Sequence, residues 1–171
     1  MRKKSLFNIY VKKMFWINGS LDDPDDLCLH GDVSVTIGDE CFETECVLSS
    51  SALYHLKTLT EDHVIYTGNQ MLPCSGHSLF PNDSNDTVNI SGCPNGIDWD
   101  VRHVADGVEL TTESKKKTFV THSEYQKQVF AFADSVKGFY DKCKEKNIPA
   151  DEFDRRGYMT FWKEWNRRRN Y

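Results

Sequence analysis

The chain has 171 residues, of which 39% are hydrophobic and 27% charged, and its formal net charge is −5. This length and apolar content predict a single folded domain over residues 1–171 and exclude an intrinsically disordered chain. No window approaches the roughly 20 apolar residues that a membrane-spanning helix needs, and the net acidity argues against nucleic acid as a partner, because that needs a coherent basic face.

The first thirteen residues are basic and differ in composition from the acidic segment that follows. They begin like a secretion signal, but the apolar run is interrupted by Asn8 and ended by Lys12, so it is too short to direct secretion. The sequence therefore predicts a cytoplasmic protein. Two interpretations of residues 1–13 remain open: a leader ahead of a true start at Met14, or a genuine first strand.

A β-hairpin is predicted over residues 32–48. Valine or isoleucine alternates with polar residues from 32 to 37, which is the period-two pattern of a half-buried strand. Residues 38–40 are Gly-Asp-Glu and supply a turn. The alternation then resumes, with Glu43 and Glu45 on the polar side.

The middle of the chain predicts one short helix and several strands. Residues 49–51 are serines that could cap a helix ending before Gly68. Residues 68–91 are rich in loop formers. Strands are expected from Val88 onward and near 98–104, 108–112 and 118–120, which together with the hairpin predicts an antiparallel meander sheet of about five or six strands.

Two helices are predicted at the C-terminal end. Ser123 and Gln126 have the spacing of a capping box, and apolar residues follow at steps of three and four, so one face should pack on the sheet. A second helix from about Asp154 ends in three arginines, which suit the negative end of the helix dipole. The predicted fold class is α+β, with the meander sheet packed by these two helices.

Charge is distributed unevenly along the chain. Between Met14 and Leu56 there are nine acidic residues and no Lys or Arg, while basic residues gather toward the C-terminal end. Such a dipolar molecule can steer a basic protein partner; the alternative is an ordinary solvated set of turn and strand residues. The partner-binding hypothesis names Asp22, Asp23, Asp25, Asp26, Asp39, Glu40, Glu43 and Glu45.

A Cys/His cluster offers a second hypothesis. Cys74 and His77 form a C-x-x-H pair, and Cys93 follows within a Gly-Cys-Pro-Asn-Gly turn. Zinc prefers tetrahedral sulfur and nitrogen ligands, so these three residues could hold zinc if a fourth ligand, for instance His103, joined them. The alternative is ordinary loop and core cysteines, and we expect reduced thiols in a chain of this size.

No catalytic motif is present. The sequence lacks a G-x-S-x-G elbow, an H-E-x-x-H helix, a P-loop and a dinucleotide-binding glycine pattern. We therefore expect no enzyme, no catalytic residue, and no cofactor other than the zinc just described.

The C-terminal segments 125–132 (YQKQVFAF), 151–158 (DEFDRRGY) and 161–165 (FWKEW) resemble small bacterial proteins that are similar to immunity proteins of polymorphic or contact-dependent inhibition toxins. The resemblance covers the last third to half of the chain. It implies a cytoplasmic protein that binds one toxin domain and occludes its active site. Nuclease toxins are basic, so an acidic surface is the counterpart that such an inhibitor needs.

Two hypotheses follow. The first is an immunity protein that occludes a basic toxin domain through an acidic surface. The second is a small domain of unknown role with a metal or hydrolytic site around Cys74, His77 and Cys93.

Overall fold

Residues 5–75 and 78–171 are the part of the chain that the computed structural model describes. Its elements, in chain order, are β1 (Phe7–Phe15), β2 (His30–Ile37), β3 (Glu40–Val47), α1 (Leu48–Lys57), β4 (Ser78–Pro81), β5 (Val88–Ser91), β6 (Trp99–Val104), β7 (Gly107–Thr112), β8 (Lys117–Thr121), α2 (His122–Lys142) and α3 (Glu152–Arg169). The strands form antiparallel sheets in the orders β1-β2-β3, β4-β5 and β6-β7-β8. The predicted α+β class, with a long helix and a second helix at the C-terminal end, is confirmed.

The division of the strands differs from the prediction of one meander sheet of about five or six strands. α1 and the segment after it separate β3 from β4, and the backbone of that segment pairs with the third sheet at the isolated bridge of His63 with Val101. β4 itself lies in a stretch that the sequence predicts as loop. Alternating polarity indicates which segments are extended but does not determine which strand edges pair.

The first sheet contains the predicted hairpin and most of the N-terminal segment that the sequence left open between a leader and a strand. β2 pairs with β3 so that Ile37 lies opposite Glu40, and Gly38 in the turn has a φ of +63°, which favours glycine. β1 pairs with β2 from Phe7 onward, and Phe7 is fully buried. Residues 7–13 therefore belong to a strand, as the second interpretation predicted, while residues 1–4 lie outside the described residues.

The helices follow the predicted apolar stripes, but both N-caps differ from expectation. α2 starts after Thr121, whose hydroxyl accepts from the Glu124 N–H at 3.3 Å, so the capping pair lies two residues before Ser123 and Gln126. α1 starts after Val47 without a side-chain cap. The serines expected to cap it are buried within its first turn, where the Ser49 hydroxyl accepts from the Leu29 N–H and the Ser51 hydroxyl donates to the Met71 carbonyl oxygen.

A buried ionic cluster attaches α3 to the rest of the core. The fully buried Glu164 accepts from the Val88 N–H at 2.7 Å and from Arg168 Nε at 2.8 Å, and Lys57 Nζ lies 3.5 Å away. Arg168 also contacts Glu61 at 2.5 Å. Because a buried carboxylate without partners is costly, these contacts fix the position of α3 against α1 and β5.

No helix within the described ranges is both long and apolar enough to cross a lipid bilayer.

One histidine lies at the centre of the core. His55 on α1 is fully buried, contacts the rings of Phe7, Trp99 and Phe132, and its Nδ1 lies 2.7 Å from the Ser51 carbonyl oxygen. Burial lowers the pKa of His55 from 6.5 to about 4. The folded protein therefore holds this imidazole in its neutral form.

The buried imidazole predicts a loss of stability in weak acid. The unfolded chain takes up the proton first, so the His55 contribution is complete above pH 6.5, falls as the pH decreases toward 4, and is gone below that. The shift corresponds to roughly 3 kcal/mol. Urea unfolding across this pH window should show the decline. His55→Leu should flatten it, whereas the matched change His122→Leu, at an exposed histidine, should not. An unchanged acid profile in His55→Leu would contradict this assignment.

Candidate partner-binding surface

The eight acidic residues predicted to bind a partner fall into three separate groups. The loop group comprises Asp22, Asp23, Asp25 and Asp26, between β1 and β2. The turn pair, Asp39 and Glu40, lies where β2 meets β3, and the strand pair, Glu43 and Glu45, lies along β3. Their contacts differ, so the eight residues do not act as one surface.

The loop group holds the connection between α2 and α3. Asp22 accepts from the Lys144 N–H at 3.1 Å, and Asp25 accepts from the side-chain amide of Asn147 at 2.7 Å. The Asn147 N–H donates to the carbonyl oxygen of Pro24 at 2.9 Å. Two segments more than one hundred residues apart are thus joined by the carboxylates that the sequence predicts for a partner.

Asp26 and Lys146 complete this internal junction. The two Asp26 oxygens accept from the N–H groups of Ile17 at 2.7 Å and Cys28 at 3.0 Å. Lys146 is 8% exposed, donates to the Asp23 carbonyl oxygen at 2.5 Å and lies 3.1 Å from the Trp16 ring centroid. The loop group is therefore satisfied within the protein.

The turn pair attaches the β2–β3 hairpin to the third sheet. Asp39 forms an ion pair with Lys116 at 3.0 Å, and Glu40 accepts from the hydroxyls of Thr112 at 2.6 Å and Ser114 at 2.7 Å. The hydrogen bonds from Thr112 and Ser114 lower the pKa of Glu40. These acids are also engaged internally.

The strand pair lies on a face of the first sheet that faces solvent. Strand register places Tyr10, Ser34 and Glu43 in one row across this face, and the next row contains Asp32 opposite Glu45. Tyr10 is 60% exposed. We call the surface formed by Tyr10, Asp32, Glu43 and Glu45 the outer acidic face.

The outer acidic face carries charge that the rest of the described chain leaves largely uncompensated. Glu43 pairs with Lys12 at 2.5 Å, but both side chains are exposed, so solvent screening leaves the pair a small contribution to stability. Within residues 5–75 and 78–171, neither Asp32 nor Glu45 forms a side-chain hydrogen bond or ion pair. Their direct opposition across β2 and β3 is repulsive.

Two lysines of β1 lie beside these carboxylates. The hydrogen bond to Glu43, together with the charge of Asp32, raises the pKa of Lys12. Lys13 lies opposite Asp32 on β1, next to an irregularity in the pairing between Val11 and Lys13, and its Nζ lies 5.3 Å from the Phe15 ring centroid. The negative charges of Asp32 and Glu45 also act on Cys46, on the buried side of the sheet. Burial, together with the charges of Glu45 and Asp32, raises the pKa of Cys46 to about 12.

The proposed metal ligands are only partly brought together. The Cys74 and Cys93 sulfur atoms lie 2.8 Å apart, whereas His77 lies outside the described residues. His103 bonds to Asp62 at 2.8 Å and lies 3.3 Å from the Leu59 carbonyl oxygen. In the parts of the chain that the structure describes, no group of three or more potential ligands could hold a metal ion.

Comparison with other proteins gives no relative: the chain matches no family model, no curated protein and no solved structure. The outer acidic face is therefore identified from the strand register and the exposure of its residues alone. The sequence hypothesis omitted Tyr10 and Asp32 from it. The alternation of Phe7, Ile9 and Val11 on β1 was the signal that could have assigned Tyr10 to the opposite, exposed face.

The repulsion between Asp32 and Glu45 predicts that Glu45→Lys stabilises the protein. The substitution replaces a like-charge cross-strand pair by an opposite-charge pair, so the free energy of unfolding should rise by about 0.5–1 kcal/mol. Urea unfolding at low salt measures it, and added salt should reduce the gain. Glu113→Lys, at an exposed turn position, should stay within about 0.5 kcal/mol of the parent. A destabilised Glu45→Lys protein would show that no repulsion is relieved.

The hydrogen bonds within the loop group predict that Asp26→Ala destabilises the protein. Loss of the acceptor for two backbone N–H groups should lower the free energy of unfolding by about 1–3 kcal/mol. Asp83→Ala, in an exposed loop, is the control and should change it by less than about 0.5 kcal/mol. Equal stability of the two variants in urea unfolding would contradict a structural role for Asp26.

Proposed function

We propose that the protein is a cytoplasmic binding protein that holds a basic protein partner against the outer acidic face. The observation that carries this proposal is the facing pair Asp32 and Glu45, which lies on an uncovered sheet surface without a bonded cation in the described chain. Two carboxylates in this arrangement lower the stability of the protein unless a positively charged group lies close to both of them.

A lysine or arginine of a partner suits this position chemically. Placed between Asp32 and Glu45, it would replace a repulsion by two charge-assisted hydrogen bonds, which are stronger than neutral ones. Tyr10, exposed in the adjacent row, offers the kind of rigid amphipathic side chain that often anchors interfaces. Because paired strands already hold these residues, little ordering cost is added on binding.

The proposed partner class is a toxin domain. The resemblance of the C-terminal segments to immunity proteins suggests it, and a basic nuclease-type domain is the electrostatic counterpart of the outer acidic face. In this proposal α2 and α3 serve as scaffold, because their apolar stripes are buried against the sheets and α1. The first sheet then carries recognition, and binding blocks the partner's active site sterically.

Charge reversal on the outer acidic face tests the proposal. The double variant Glu43→Lys/Glu45→Lys should remain folded yet bind a basic toxin domain, encoded beside this chain's gene, about 100-fold more weakly or worse, because two attractive contacts become repulsive. Titration calorimetry at low and high salt measures the affinity. The parent's association should weaken with salt, since exposed charges are screened.

The matched control is Asp83→Lys/Glu113→Lys, which makes the same change in net charge at exposed positions that do not belong to the outer acidic face. This control should bind like the parent and, when co-expressed with the toxin domain, should protect growth equally well. Binding that is equal in both double variants, or insensitive to salt in the parent, would refute recognition through the outer acidic face.

A further inference from the structure

One pair of cysteines differs from the others in its surroundings. The Cys74 thiol donates toward the Cys93 sulfur at 2.8 Å, and also lies 3.7 Å from the Cys93 carbonyl oxygen. All six cysteines are described and all are free thiols. Within the described residues, the other four cysteines form no hydrogen bond with a second cysteine: Cys28, Cys41, Cys46 and Cys143.

The fold itself brings these two sulfur atoms together. The Gln70 side chain accepts from the Gly96 N–H at 2.7 Å and donates to the Pro94 carbonyl oxygen at 2.8 Å. The Cys93 N–H donates to the Ser75 hydroxyl at 3.2 Å. A side chain at Gly96 would meet the Leu72 carbonyl oxygen at 2.2 Å, so glycine permits this close approach. The segments carrying the two thiols are thus already fastened to each other.

The environments of the two thiols are unequal. Hydrogen bonds from the Cys74 thiol and the Asn95 N–H lower the pKa of Cys93, whereas desolvation and the hydrogen bond to Cys93 raise the pKa of Cys74. The thiolate is the nucleophilic form of cysteine. The Cys74 thiol donates to the Cys93 sulfur at 2.8 Å, so Cys93 carries the thiolate character and Cys74 lies beside it to react second.

We propose that Cys74 and Cys93 form a thiol–disulfide exchange site that is oxidised by small-molecule disulfides of the glutathione disulfide class. The Cys93 thiolate attacks one sulfur of the small disulfide, forms a mixed disulfide and releases one small thiolate. The Cys74 thiol then loses its proton to solvent and attacks the Cys93 sulfur, which closes the protein disulfide and releases the second small thiolate. Two protein thiols are oxidised and one small disulfide is reduced to two thiols.

The spacing of the sulfur atoms favours this chemistry over a shared zinc ion. Sulfur ligands about 2.3 Å from a tetrahedral zinc ion lie about 3.8 Å apart, whereas these lie 2.8 Å apart. A disulfide bond of about 2.0 Å requires them to approach by less than about 1 Å. In a reducing compartment such a pair stays reduced and is oxidised only transiently, as redox-sensing cysteines are.

Exchange with glutathione disulfide tests the proposal on the full chain. After acid quenching, alkylation of remaining thiols and peptide mapping by mass spectrometry, a link between Cys74 and Cys93 should be the main product, and dithiothreitol should reverse it. The link closes a loop between positions 19 residues apart and should raise Tm by roughly 6–12 °C.

Single variants separate the two roles. Cys74→Ser should stop at a mixed disulfide on Cys93, while Cys93→Ser should react at Cys74 about 10-fold more slowly or worse. Cys41→Ser, which removes another exposed thiol, should leave the product and its rate unchanged. Oxidation spread over Cys41 and Cys143, or Cys74 and Cys93 both remaining alkylatable, would overturn the proposal. So would one zinc per purified chain that protects both thiols from alkylation.

This exchange site does not depend on the outer acidic face. Glu43→Lys/Glu45→Lys should form the Cys74–Cys93 link at the parent rate, so the two proposals can fail separately.

Discussion

The opposition of Asp32 and Glu45 exists because the other face of the first sheet enforces the strand register. Val33, Val35 and Ile37 are almost fully buried, and each contributes about 1.5–3 kcal/mol by its burial. A slip of one residue would turn all three to solvent. A like-charge pair costs only about 0.2–1 kcal/mol, so the apolar side of β2 decides the register and the polar side accepts the repulsion. The candidate surface is thus a consequence of core packing.

The acidic residues show how environment assigns different roles to one chemical group. Asp26 accepts backbone N–H groups and stabilises a loop, and Asp39 pairs with a lysine on the third sheet. Glu45 is an exposed strand residue with an acid opposite it. The carboxylates of Asp26 and Asp39 are already bonded inside the protein. Of these three residues, Glu45 is the one whose carboxylate can bind another molecule.

Local signals in the sequence predicted the local structure well. The alternation over residues 32–48 gave the hairpin, and steps of three and four gave the buried stripe of α2. The partition into three sheets and the cap at Thr121 were not predicted, because strand pairing depends on distant contacts and two hydroxyls compete for one helix end. Strands that pair can lie far apart in the chain, and Thr121 and Ser123 fit the capping pattern equally well.

The candidate site was harder to predict than the fold for a related reason. Composition shows how many acids a segment contains but not which bases meet them. Asn147 binds Asp25 and Lys116 pairs with Asp39, each across more than seventy positions. The number of acids in the N-terminal third therefore overestimates how many are free to bind a partner. The sequence predicted that Cys74, His77 and Cys93 could meet in a metal site. Cys74 and Cys93 do meet, but His103, the suggested fourth ligand, bonds to Asp62 instead.

The position of Lys13 bears on how a partner could compete for the outer acidic face. Its ammonium lies near the Phe15 ring, a contact worth about 0.5–1 kcal/mol at an exposed site. An exposed ion pair with Asp32 would be worth about 0–1 kcal/mol, so the lysine gains little by turning toward the carboxylate. A partner cation that reaches both Asp32 and Glu45 interacts with two charges at once and removes their mutual repulsion. Of the two lysines on β1, Lys12 is bonded to Glu43 and Lys13 lies near the Phe15 ring. Neither bridges Asp32 and Glu45, and this leaves the two carboxylates available to a second molecule.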